Sequence, residues 1–159
     1  MKERVNDQKI WKIIMNIVGG LGIIALIMMF LPAISFNDGD TTSYVASYIL
    51  VFGGNASSAH ILVPFNFNFV LLIFWLLPLV GSLLVFLVND KRMYNFIVAL
   101  IYFGSGLGIL FTRNIALAMQ GIDGANIAWS FGPIVSATIL FLLAITLVVK
   151  AIFFTKKDN

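Results

Sequence analysis

Asn37-Asp38-Gly39-Asp40 sets two carboxylates two positions apart around a glycine. That spacing could offer two or three oxygens to a hard cation such as calcium. His60 and Asp123 lie in connecting segments of the same kind, and Arg113 stands at the edge of one. On a shared surface, Asp38, Asp40, His60 and Asp123 could also supply acid–base groups to a lipid-processing reaction. Plainer roles exist for each. Asp38 and Asp40 suit a solvated turn, His60 suits loop packing, and Arg113 suits a headgroup contact or an ion pair with Asp123. With a single histidine and no serine on a sharp glycine-flanked turn, no Ser–His–Asp set can be built. The chain has no cysteine, which removes disulfides, thiolate metal sites and cysteine nucleophiles together. No glycine loop precedes Lys-Ser/Thr, so there is no phosphate-loop motif. The residues therefore assign no catalytic group, cofactor or metal, and the outer-face cluster stays a bare juxtaposition.

The elements that must position these residues are apolar. Hydrophobic residues make up 60% of the 159 and charged residues 11%, against about 25% charged in soluble domains. A water-soluble fold of this size could not hide so much apolar surface. Four runs, at about 13–34, 67–88, 93–112 and 131–149, contain no Asp, Glu, Lys, Arg or His. Each is near the roughly 20 residues that a helix needs to cross about 30 Å of hydrocarbon. Lipid offers backbone groups no hydrogen-bond partner, which favours helices as the spanning element. The expectation is an all-α membrane protein: one integral domain over 1–159, folded as an antiparallel bundle of four transmembrane helices. The basic start before the first run, with Ala33-Ile34-Ser35 after it, looks like a signal peptide. The apolar stretch is too long for that, and an uncleaved helix is expected.

Nine of the ten Lys and Arg residues fall before the first run, in the 89–92 link, or after the fourth run. Arg113 alone falls in the two remaining connections. The positive-inside rule then places both termini in the cytoplasm and gives a multi-pass protein of the cell membrane. It also explains the net charge of +3 without nucleic acid. The bilayer is the expected partner, and Lys150, Lys156 and Lys157 could in addition touch anionic lipid.

The outer loop at about 35–66 is the longest connection. Tyr48–Phe52 and His60–Val63 flank Gly53-Gly54-Asn55, which reads as a β-hairpin or as a short helix lying in the interface. The 89–92 link predicts antiparallel neighbours, and the second outer loop runs from about 113 to 130. Pro133 suits the first turn of the fourth helix, with Ser130 as its cap. Pro78 should kink the second helix.

Small residues mark the helix faces. Gly104 and Gly108 in the third run form a GxxxG pair, and Gly19, Gly22 and Gly81 offer close approach elsewhere. They fit packing within one bundle or a face for a homo-oligomer or membrane partner. Charge is missing from all four runs, whereas a proton-coupled exporter like the small multidrug transporters would need a carboxylate inside a helix. Asn16, Tyr102, Ser105, Thr138 and Thr146 are the polar groups left for bonds between helices.

Four helices, inner termini and a long first outer loop resemble the claudin and tetraspanin layout. The resemblance ends at topology. The claudin loop pattern of tryptophan, Gly-Leu-Trp and a cysteine pair is missing, as are the tetraspanin cysteines, so it implies no residue role. The leading expectation is a non-enzymatic accessory, scaffold or immunity-type subunit that works through helix and outer-loop contacts. The alternatives are an oligomeric channel or transporter subunit and an outer-surface lipid-processing enzyme.

Overall fold

A computed structural model of the chain describes residues 2–37, 42–57, 62–87, 92–121 and 127–153, without the side chains of 2–8 and 57. Four helices are long and apolar enough to cross a membrane: 9–30, 69–87, 92–110 and 131–153, of 22, 19, 19 and 23 residues. At about 1.5 Å per residue each covers roughly 30 Å. Their outward faces are apolar as well. Ile13, Ile17, Leu83, Phe86, Leu100, Leu142 and Ile145 are all exposed, a surface that lipid rather than water would cover.

The first helix, α1 (Lys2–Ile27), tightens into a 3-10 turn at Met28–Phe30 before Pro32 opens strand β1 (Pro32–Asn37). The apolar run read as one helix to Ile34 is thus part helix and part strand. Pro32 and the pairing of β1 with its neighbours outweigh the apolar continuity of 31–34. Strand β2 (Thr42–Ala46) follows, then the short helix α2 (Ser47–Phe52) and a hairpin of β3 (Gly54–Ser57) and β4 (Leu62–Phe65). The loop therefore contains both a hairpin and a short helix. The β-branched run at Tyr48–Phe52 is the helix, and the hairpin lies beyond Gly53 instead of around it.

Asn68 starts the second long helix, α3 (Phe69–Leu87): its side-chain Oδ1 accepts the Leu71 N–H at 3.0 Å. After α4 (Arg92–Leu110), the segment read as a loop holds helix α5 (Thr112–Gln120), ended by Gly121 at φ 64, and strand β5 (Ile127–Trp129). The last helix is α6 (Phe131–Phe153), with Pro133 in its first turn.

One sheet joins the two connections. Its order is β2-β1-β5, antiparallel throughout, with Ser35 opposite Tyr44 on one side and Ala128 on the other. Ile34 and Phe36 of β1 are buried, and the Phe36 ring lies 6.4 Å from Phe65 of the hairpin. The sheet and the hairpin thus share an apolar seam over one end of the helices. Within the helices the core is filled by Trp75, Tyr102, Met15, Ile109, Leu140 and Leu147.

Candidate functional site

Several hydroxyls between the long helices are tied to a neighbouring helix or to their own. Pro78 has no N–H, so the Phe74 carbonyl one turn earlier loses its usual helical partner. Ser105 of α4 supplies the replacement, donating to the Phe74 carbonyl at 2.7 Å. Ser82 donates to the Pro78 carbonyl at 2.8 Å and lies 3.0 Å from the Tyr102 hydroxyl. Ser136 of α6 donates to the Ala25 carbonyl of α1 at 2.6 Å. Thr138 and Thr146 bond instead to carbonyls of their own helix, Ile134 and Leu142, each at 2.8 Å. Asn16 lies on the exposed face of α1. Of the five polar groups singled out from sequence, Ser105 and Tyr102 make bonds between helices. Ser82 and Ser136 do the same.

The glycines surround these bonds. A Cβ on Gly22 would strike the Ser82 and Tyr102 hydroxyls, and one on Gly81 would meet the Tyr102 ring at 2.7 Å. Gly19 lies against the Phe86 ring, where a Cβ would stand 2.5 Å from the nearest carbon. Gly108 takes the Phe74 ring, and Gly106 the Phe141 ring. Gly104 has nothing within 4 Å of its Cβ position, so the two glycines of the GxxxG pair face different surroundings. These contacts also give the helix directions. Gly22 meets Ser82 while Gly19 meets Phe86, and Tyr102 meets Gly81 while Gly108 meets Phe74. Rising numbers on one helix against falling numbers on the next mean that α1 and α3, and α3 and α4, run in opposite directions. Lys150, expected beyond the fourth span, is instead buried on α6.

At the strand-bearing end, Arg113 aims its guanidinium at the Ile127 carbonyl, with Nε at 2.9 Å and Nη2 at 2.7 Å. It also reaches Asn114 Oδ1 at 3.4 Å. This fork fastens the start of β5 to α5. Its expected ion-pair partner Asp123, like Asp38, Asp40 and His60, lies outside the described residues. Asn66 and Gln120 exchange hydrogen bonds: Asn66 Nδ2 to Gln120 Oε1 at 3.2 Å, and Gln120 Nε2 to the Asn66 carbonyl at 3.1 Å. Among the described residues no group of three or more His, Cys, Asp or Glu comes together to hold a metal. What the described residues offer chemically is hydrogen bonding, a strand edge at β2 that no described strand extends, and exposed aromatic and apolar surface. Tyr44, Tyr48, Phe52, Leu62 and Phe67 are all exposed in this layer.

No protein-family model matches this chain, and a search of curated proteins returns no match.

Proposed function

We propose that the chain is a non-enzymatic, multi-pass protein of the cell membrane that acts as an accessory or scaffold subunit through contacts of its outer layer and helix faces. Both termini lie in the cytoplasm in this reading, supported by the nine-to-one distribution of Lys and Arg. The strand-bearing end is then outside. The observation that carries the proposal is the sheet β2-β1-β5, which knits both outer connections into one layer. Such a layer is a platform with a strand edge at β2, and strand edges readily accept a further strand. Beneath it, Ser82, Ser105 and Ser136 bond one long helix to another, which suits a bundle built to hold a platform. Gly104, open to the outside of α4, leaves room for a helix of a partner or of a second copy.

The test is photo-crosslinking in the native membrane from an artificial residue at Tyr44 on β2 and another at Gly104. A discrete adduct from either position, repeated when the complex is purified in mild detergent, supports the proposal. Monomer alone from both positions counts against it. Tags at the two termini that are reached from opposite sides of the membrane would remove the orientation.

A further inference from the structure

α2 is only six residues long, yet it is held at both ends. The Ser47 N–H donates to the Leu31 carbonyl at 3.2 Å, just past α1. The Asn68 N–H, just before α3, donates to the Val51 carbonyl at 2.8 Å. A helix hydrogen-bonded by its backbone to the ends of two membrane-crossing helices lies where those helices leave the hydrocarbon. Ser47, Leu50 and Val51 face inward and are buried. Tyr48 and Phe52, four apart and so on one helix face, are 40% and 55% exposed.

The exposed face does not stop at α2. The Tyr48 ring lies 5.7 Å from that of Phe30, which is itself exposed at the end of α1. Below Phe30, Ile27 and Ile24 continue the outward apolar face of the same helix. The aromatic patch is therefore an extension of the surface that lipid covers on α1. Gly53 then turns the chain away at φ +85, over backbone so close that a Cβ would stand 3.0 Å from the Phe65 carbonyl oxygen.

We infer that α2 is an in-plane membrane anchor, with Tyr48 and Phe52 seated among the headgroups and upper acyl chains of the leaflet at the strand-bearing end. The amphipathic Tyr48 ring favours that depth, and the apolar helix face that carries Phe52 binds there without crossing. Because β2 leads into α2 and β3 leads out, the anchor holds the sheet and the hairpin close to the bilayer surface.

A chain without cysteine makes the test direct. Phe52→Cys and, separately, Tyr48→Cys carry a nitroxide label in nanodiscs of phosphatidylcholine and phosphatidylglycerol. Leu100→Cys on the outward face of α4 and Asn55→Cys on β3 serve as references. Collision with oxygen, which concentrates in lipid, is compared with collision with a water-soluble nickel chelate. We expect oxygen to exceed nickel severalfold at 52 and 48, at a depth between the two references. Nickel-dominated collision at both positions, as at 55, would overturn the anchor. So would low access to both reagents with spin–spin broadening, which would mean that a second copy covers the patch. The measurement does not depend on which side the termini occupy, so its failure and that of the proposed orientation are separate results.

Discussion

The Ser105 hydroxyl completes the hydrogen bonding that Pro78 breaks, by donating to the Phe74 carbonyl at 2.7 Å. The bond crosses from α4 to α3, so one residue both repairs a helix and joins two. Without it, a carbonyl would face a lipid-shielded interior unpaired, a costly condition. Ser105→Ala should destabilise the fold by about 1 kcal/mol. In a Pro78→Ala background the N–H returns and the same substitution should cost much less. Reversible unfolding in mixed micelles, run as a double-mutant cycle, checks this. Equal costs in the two backgrounds would show that the hydroxyl does not serve the carbonyl freed by proline.

Gly108 and Gly104 should separate under mutation. A Cβ at 108 enters the Phe74 ring, so Gly108→Ala should destabilise by about 1–3 kcal/mol. Trimming the ring with Phe74→Leu should recover part of that loss. Gly104→Leu has open space around it and should leave the stability of the single chain near the parent value. Its effect, where a partner helix docks there, appears in crosslinking yield. Thermal denaturation of the detergent-solubilised chain distinguishes the two positions.

The pair formed by Ser82 and Tyr102 makes a third prediction. Their hydroxyls are 3.0 Å apart, and Gly22 keeps the third side clear. Tyr102→Phe and Ser82→Ala should each cost about 0.5–1 kcal/mol, and together less than their sum, since both remove the same bond. Gly22→Ala should cost more than either, because its methyl displaces both hydroxyls. Additive single costs in unfolding measurements would show that the two groups act independently.

How much of this was legible beforehand depends on which physical signal each feature leaves. The four long helices were legible because hydrocarbon imposes a length and forbids charge, and both appear directly in residue order. The end of α1 was not, since Leu31 to Ile34 are as apolar in a buried strand as in a span. Residue type leaves Tyr48–Phe52 open between a hairpin strand and a short helix, and backbone bonds to Leu31 and from Asn68, residues distant in the chain, favour the helix. Strand β5 is three residues long, too short for a periodic pattern, and exists through pairing with β1. Pro78 signalled a broken bond, but its repair by Ser105 depends on the register of α3 against α4, which no single segment encodes. Asp38, Asp40, His60 and Asp123 stood out by type alone, a signal that says nothing about where they meet.

Arg113 should prove irreplaceable by lysine. Two nitrogens of its planar fork reach one carbonyl, Ile127, at 2.9 and 2.7 Å. Lysine offers a point charge on a flexible stem and cannot reproduce that fork. Arg113→Lys should therefore speed amide exchange across 127–129 roughly tenfold, in line with losing one charge-assisted hydrogen bond. Exchange within α3 and α4 should stay unchanged. Hydrogen exchange read by mass spectrometry resolves these segments, and unchanged protection at β5 would mean that pairing with β1 holds the strand alone.

The joint between the helices and the sheet should be the least tolerant position of all. Gly132 opens α6 directly against the turn into β1, where a Cβ would stand 2.6 Å from the Pro32 carbonyl oxygen and 3.1 Å from Leu31 Cβ. Both obstacles belong to or adjoin the backbone, so neither can swing aside as a ring can. One turn further, Ser136 bonds Ala25 at 2.6 Å, and just before the helix the Ser130 N–H donates to the Ala33 carbonyl at 3.0 Å. These bonds fix α6 to α1 on one side of the glycine and to β1 on the other, leaving no direction for relief. Gly132→Ala should then cost about 2–3 kcal/mol, at the upper end of overpacking. It should weaken exchange protection in β1 and β5 together, since both strands meet at this joint. Ser136→Ala loses one hydrogen bond without adding bulk and should cost about 1 kcal/mol, with the sheet still protected. If Gly132→Ala proved as mild as Ser136→Ala, the strands would not depend on how closely α6 approaches α1.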